Sequence, residues 1–200
     1  MGITIHYNGR FKKEASLSEM VDEVADIAQI NQWKVQTFNT DLPIHYGNGI
    51  VGDSELYGLL LNVPECESVM LTFLDDRRLV NPFWLHLMQN GDKDEEGYRY
   101  MAFTKTQFGG VEAHMRIIHL LKYLSVKYFE EFELTDEAQY WESGDEEKAR
   151  KLFNFLGSMI NKLGAALSNL NASPDESIDE LANRINEKLK DFFNKERTKD

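Results

Sequence analysis

The sequence predicts an α+β fold, in which a mainly antiparallel sheet of five or six strands carries two helices and precedes a C-terminal helical hairpin. Three observations predict it. Short apolar runs of strand length occupy most of the first half of the chain. Residues 17–32 and 111–132 repeat apolar side chains every three or four positions, as amphipathic helices do. Two further segments with the same period follow an acidic stretch.

The first elements are a strand, a helix and a second strand. Residues 3–7 alternate apolar and polar side chains up to a predicted turn at Asn8-Gly9. Ser16 and Glu19 form a capping box, which satisfies free backbone donors at the start of a helix. The helix is predicted to end near residue 32, and residues 33–38 to form the second strand.

The middle of the chain is predicted to supply a long loop and the remaining strands. Residues 39–55 lack a period, and a loop of this length is typical of a segment that covers a ligand. The apolar runs 56–63 and 69–74 predict a hairpin, because a short polar turn joins them. Residues 98–107 alternate as a further strand, with Met101 and Phe103 on one face and Tyr98, Tyr100, Thr104 and Thr106 on the other.

The second half of the chain is predicted to be helical. Helix 111–132 presents an apolar stripe, so we expect it to lie across the sheet. A second capping box at 143–146 begins the helical hairpin, and the two hairpin helices join near 171–172. We therefore expect an α+β domain at 1–142 and a hairpin at 143–195, which packs on that domain to form one structural unit or packs on a partner in a homodimer.

Composition narrows the classes of partner and the compartment. A net charge of -12 and a pI near 4.9 argue against nucleic-acid or anionic-membrane binding and favour a basic protein partner. Cys66 is the single cysteine, so an intrachain disulfide is impossible and a reducing compartment is indicated. With no signal-peptide pattern and no apolar run of membrane-spanning length, we expect a cytoplasmic protein.

The short motifs in the sequence point to no reaction. Residues 47–52 match the GxGxxG string, but a preceding strand and a following helix are not predicted, so we interpret them as loop. Cys66 lies between two glutamates, which suppress the thiolate that a nucleophile needs. Asp75-Asp76 is followed by Arg77-Arg78, which is typical of a charged turn. No cofactor and no metal are predicted, and the sequence does not decide whether the chain is an enzyme.

The first candidate site is an anion-binding mouth where the last strand meets the central helix. Lys105 and Gln107 are predicted to lie beside the helix start, whose backbone donors attract a carboxylate or phosphate. His114 follows one turn into the helix, on its apolar side, and His6 joins if the first strand lies adjacent. This set supports a small-molecule-binding protein or an enzyme. The alternative is that His114 is a hydrogen-bonded core residue.

The second candidate site is the acidic stretch from 128 to 147, which holds nine acidic residues, no Lys or Arg, and five aromatic residues. Dense negative charge accelerates encounter with a basic partner, and Tyr and Trp are frequent interface residues. This site favours a protein-interaction role, such as an inhibitor or immunity-like protein. The alternative is that its aromatic residues pack in the core. The candidate binding residues are Asp136, Glu137, Tyr140, Trp141, Glu142 and Asp145.

Overall fold

The computed structural model describes residues 2–43, 55–83, 99–168 and 177–197. The GxGxxG string at 47–52, most of the predicted long loop and the hairpin connection near 171–172 lie outside the described residues. The elements, in chain order, are β1 (Thr4–Phe11), α1 (Leu17–Asn31), β2 (Lys34–Thr37), β3 (Tyr57–Asn62), β4 (Val69–Phe73), β5 (Ala102–Lys105), α2 (Gly110–Tyr128), β6 (Phe129–Asp136), α3 (Tyr140–Ser143), α4 (Glu146–Leu167) and α5 (Ile178–Arg197).

The fold is α+β, as predicted, but the strands of the described chain form two small antiparallel sheets of three rather than one sheet of five or six. The first sheet has the order β5-β1-β6, so the N-terminal strand lies between two strands from the middle of the chain. The second sheet, β2-β3-β4, pairs strands that follow one another. Backbone hydrogen bonds join the first sheet to the segment that follows β4: Leu79 donates to Gly9 at 2.8 Å and Phe11 donates to Arg77 at 2.9 Å.

The first helix follows directly from its cap. The hydroxyl of Ser16 accepts a hydrogen bond from the backbone N–H of Glu19 at 3.2 Å, which satisfies one free donor of the first turn. The helix then buries Leu17, Met20, Val21, Val24 and Ala28. At its far end Gln32 adopts the left-handed conformation, and its N–H caps the last carbonyl groups.

The central helix is shorter than predicted. It ends at Tyr128, and residues 129–132, which its period assigned to helix, begin β6 instead. The reason is non-local: β6 pairs antiparallel with β1, and the ring of Phe129 packs against those of Phe73 and Phe11, with centroids 5.7 Å and 6.1 Å apart. Long-range strand pairing and aromatic packing override the local helical pattern.

Gly9 is a strand residue and not part of the predicted turn at Asn8-Gly9. Strand β1 continues to Phe11, with Gly9 opposite Phe132 in β6. A Cβ atom at this position would lie 2.6 Å from the backbone oxygen of Glu131, which is closer than real side chains approach. The glycine therefore permits the close pairing of β1 with β6, where the sequence pattern indicated a chain reversal.

One apolar core lies between the sheets and helices α1 and α2. It includes Ile5 and Tyr7 of β1, Leu59 and Leu71 of the second sheet and Ile118 of α2. In β5 the face that enters the interior carries Ala102 and Thr104, followed by Thr106, whereas Met101 stays exposed. The polar face of the predicted strand is thus the buried one, and the hydroxyl of Thr106 contacts His114 of α2.

The chain separates into two compact units, Met1–Arg150 and Lys151–Asp200. Helix α4 is capped by Asp145, whose carboxylate accepts from the N–H of Lys148 at 3.0 Å, and not by the predicted Ser143. In the second unit several apolar side chains stay exposed, including Phe155 at 60% and Ile178 at 86%. A homodimer through these helices stays a prediction. Within the described ranges, no helix combines the length and apolar character that crossing a membrane requires.

Candidate functional site

The two candidate sites predicted from the sequence lie on and beside the first sheet, and each of them has residues on both faces of that sheet. Residues of β1 alternate in burial, with Ile3, Ile5 and Tyr7 inside. Helix α2 covers the inner face. The outer face carries residues 4, 6 and 8 of β1, which pair with residues of β5 and β6. The predicted residues that lie in strands are therefore assigned to a face by strand alternation.

The inner face carries a buried hydrogen-bonded cluster of Thr106, His114 and Asp136. The Thr106 Oγ1 atom lies 2.8 Å from Nδ1 of His114, and Nε2 of the same ring lies 3.2 Å from Oδ2 of Asp136. Thr106 and His114 have no exposed surface, and Asp136 retains 3%. An ionised carboxylate only accepts hydrogen bonds, so Nε2 of His114 carries the proton of that contact.

Asp136 holds more than the histidine. Its carboxylate accepts backbone N–H groups from Ala138 at 2.8 Å, Tyr140 at 2.8 Å and Trp141 at 3.0 Å, so it orders the turn that leads into α3. Burial raises the pKa of this carboxyl, but the hydrogen bond and charge of His114 and the backbone donors outweigh burial and lower the pKa. Asp136 is therefore an internal carboxylate that joins α2, β6 and α3.

The order of groups in this cluster, hydroxyl, imidazole and carboxylate, is the order that nucleophilic enzymes use. The cluster differs from the catalytic sites of those enzymes because it is buried. A nucleophile must reach its substrate, and both Thr106 and His114 are fully enclosed by the core. The arrangement is thus suited to fixing the position of α2 over the sheet, in agreement with the core interpretation of His114.

The outer face brings together two residues from different predicted sites, His6 and Glu137. The His6 Nε2 atom lies 3.9 Å from Oε1 of Glu137, and Oε2 of Glu137 accepts the backbone N–H of Thr4 at 2.8 Å. Both side chains are about half exposed, at 40% and 46%. This pair is open to solvent and lies on the side of the sheet opposite His114.

The predicted anion site is not assembled as a unit. Lys105 pairs with Thr4 in the register of β1 and β5, between the buried residues Thr104 and Thr106, so it lies on the outer face. His114 lies on the inner face with no exposed surface. Gln107 is half-buried, and its Oε1 atom has no hydrogen-bond partner in the described part of the chain. Lys105 and His114 are therefore separated by the sheet.

The aromatic pair of the acidic stretch is more enclosed than an exposed interface patch requires. Tyr140 is 4% exposed, and its hydroxyl lies 2.9 Å from Nε2 of His119. Trp141 is half-buried, with its ring centroid 6.0 Å from that of Phe132. The ammonium group of Lys122 lies 5.4 Å from the Trp141 ring, which is a cation–π contact. Trp141 is therefore only partly exposed to solvent.

In contrast to Tyr140 and Trp141, most acidic side chains of the same stretch are exposed to solvent. Of the nine, Asp136 is buried and the other eight are exposed. Glu130 pairs with Arg10 at 3.5 Å and Glu146 with Arg150 at 3.5 Å, whereas the stretch itself supplies no cation. The exposed eight, here called the acidic surface, are Glu130, Glu131, Glu133, Glu137, Glu142, Asp145, Glu146 and Glu147.

Cys66 is unsuited to nucleophilic chemistry, as its flanking acids indicated. The pKa of its thiol is raised to about 11, mainly because the group is partly buried and in smaller part because of Glu65. In the described ranges no three His, Cys, Asp or Glu side chains are grouped to hold a metal ion. Cys66 packs beside Gly109 at the start of α2, where a Cβ atom would collide with the sulfur.

Thr106 is the site residue that sequence reasoning missed as a functional group. It was placed with the polar face of its strand, and a polar face ordinarily points to solvent. Asp136, which contacts the opposite ring nitrogen of His114, belongs to the acidic stretch and is predicted from the sequence as a binding residue for a partner. Only the pairing of β1 with both β5 and β6 brings Thr106 and Asp136 to the same histidine. Comparison with protein-family models, curated proteins and solved structures finds no match to this chain.

Proposed function

We propose that this chain is an acidic protein-interaction module that binds a basic protein partner through the acidic surface, as an inhibitor of a basic protein would. The observation that carries the proposal is the split within the acidic stretch: eight carboxylates reach solvent while the ninth, Asp136, holds the segment from inside. Ordering a charged segment before binding reduces the entropy lost on association.

The charge of the acidic surface supports this proposal quantitatively. Residues 128–147 contain nine acids and no Lys or Arg, and the eight exposed ones that form the acidic surface contribute a charge of -8, against -12 for the whole chain. Charge concentrated on one surface creates a local potential that accelerates encounter with an oppositely charged protein. Trp141, half-exposed beside Glu142, adds an aromatic contact of the kind that contributes binding energy at interfaces.

The second predicted class, a small-molecule enzyme using Lys105 and His114, has weaker support. Catalysis at that place requires both groups to reach one substrate. The sheet separates them, and the histidine has no exposed surface. The interaction proposal needs no such approach, because the residues on which it depends are exposed.

The test is a comparison of two triple variants in affinity capture from the native host. E131Q/E133Q/E142Q removes three charges from the acidic surface, and E14Q/D22N/D26N removes three exposed charges near the N-terminus. We expect a basic protein to be recovered by the wild type and by the second variant. The first variant should bind that protein about tenfold more weakly, with slower association.

The interaction proposal is overturned if both variants recover the same proteins equally well, or if the recovered partner is not basic. Thermal unfolding of both variants provides the control for folding, because the six substituted side chains are exposed and neutralising them should leave stability nearly unchanged. Binding by the wild type should also weaken as salt is raised, since screening shortens the range of surface charge.

A further inference from the structure

A groove of about 270 Å³ lies between the end of α1 and the outward side of α2, apart from the acidic surface. Leu120, 5% exposed, forms its floor. Ile27 and Trp33, both half-buried, form one side, and Tyr123 lies on the other. The groove thus has apolar and aromatic walls, as small-molecule sites in proteins commonly do.

One cation is held at the mouth of this groove. Arg116 is exposed, and its Nη1 atom donates to Oδ1 of Asn31 at 3.3 Å. The amide of Asn31 is itself fixed, because its Nδ2 atom donates to the carbonyl oxygen of Ile27 at 2.8 Å. Asn31 therefore holds the guanidinium of Arg116, and both residues line the groove. No other hydrogen bond or ion pair of Arg116 occurs within the described ranges, so most of its donors are available.

The negatively polarised and negatively charged groups near the groove, which would repel an anion, already have hydrogen-bond or ion-pair partners. The end of α1 carries partial negative charge, but the carbonyl groups of Ala28 and Gln29 accept backbone N–H groups from the cap that follows. Glu112, one turn before Arg116, pairs with Arg150. Glu23 pairs with Lys127 and accepts the hydroxyl of Tyr123 at 2.8 Å.

From these contacts we infer that the groove binds a small planar aromatic carboxylate. The aromatic ring lies between Trp33 and Tyr123 above Leu120, and the carboxylate takes two parallel N–H donors from Arg116. His119 also lines the groove, and its Nε2 atom contacts the Tyr140 hydroxyl at 2.9 Å. This site is independent of the acidic surface and of the proposed function.

The test uses indole-3-acetate as the probe and indole-3-ethanol as a neutral molecule of similar shape. Binding is followed by proton–nitrogen correlation spectra, in which the indole N–H of Trp33 reports on the groove and that of Trp141 on the acidic stretch. The Trp33→Phe variant assigns the signal. We expect indole-3-acetate to shift the Trp33 resonance in a saturable manner, and indole-3-ethanol to bind about tenfold more weakly.

Substitutions of Arg116 complete the test. Arg116→Gln should weaken indole-3-acetate about tenfold and abolish the preference over indole-3-ethanol, since the charge-assisted pair is lost. Arg116→Lys should retain part of the preference, and Lys13→Gln, an exposed cation that does not line the groove, should retain all of it. Absence of a Trp33 shift, equal binding of acid and alcohol, or a preference that survives Arg116→Gln would each overturn the inference.

Discussion

Asp136 and Glu137 are neighbours in the chain and carry the same charge, yet they have opposite roles. Asp136 points into the core, where it accepts hydrogen bonds from His114 and three backbone groups. Glu137 points outward, where it lies 3.9 Å from His6 and stays half exposed. Each pair joins a histidine to a carboxylate. The difference teaches that an acidic stretch is not a uniform surface: one of its members stabilises the fold from inside, and the others are exposed to solvent.

The largest effect is expected from truncating the buried histidine. His114→Ala leaves Asp136 without its side-chain partner and opens a cavity under α2, so the free energy of unfolding should fall by about 3 kcal/mol. The matched change His6→Ala removes the exposed histidine and should change the free energy of unfolding by less than about 0.5 kcal/mol. Chemical denaturation of both variants measures the difference. Equal losses would show that the two pairs are not distinguished by burial.

The pH dependence of stability should separate Asp136 from the exposed acids. Because the pKa of Asp136 in the fold lies below its ordinary value of 3.8, its ionised form stabilises the protein above that pH. This contribution disappears as the pH falls below 3.8 through the lowered pKa. We therefore expect the stability gap between wild type and Asp136→Asn to be full at neutral pH and to close in acid. A gap that stays constant or widens on acidification would contradict the role of the charged form.

A smaller loss is expected at Thr106. Thr106→Val removes a buried hydroxyl that contacts His114 and the backbone of Ile3, and should cost about 1.5 kcal/mol of unfolding free energy. Thr135→Val makes the same change at an exposed position of β6 and serves as the control. Thermal unfolding of the two variants compares them. If Thr135→Val is the more damaging, the hydroxyl of Thr106 does not support the cluster.

Local patterns predicted what depends on neighbours in sequence. The cap at Ser16 and the helical period that follows it predict both ends of α1 to within one residue. They fail at residues 129–132, where a helical period continues but the chain pairs with β1, more than a hundred residues away. The position of His114 on the apolar side of α2 was likewise predictable. Its partner was not, since the register of β6 decides which of two adjacent acids faces inward.

The groove at Arg116 was beyond prediction for a similar reason. Arg116 appears in the sequence as part of an exposed helical face, and Asn31 as a residue at a helix end. Their contact depends on how α1 and α2 lie side by side, which no local pattern encodes. The exposed acids were predictable because charge alone places most such residues at the surface.

The most direct measurement is the free energy of unfolding of Asp136→Asn and Glu137→Gln, determined side by side at neutral pH. Both changes remove one carboxylate charge and preserve side-chain size. We predict a loss of about 3 kcal/mol for Asp136→Asn, because an amide cannot accept all the hydrogen bonds that this carboxylate receives. For Glu137→Gln we predict a change below about 0.5 kcal/mol. Similar values for the two variants would contradict the division of the acidic stretch into an internal support and an external binding surface.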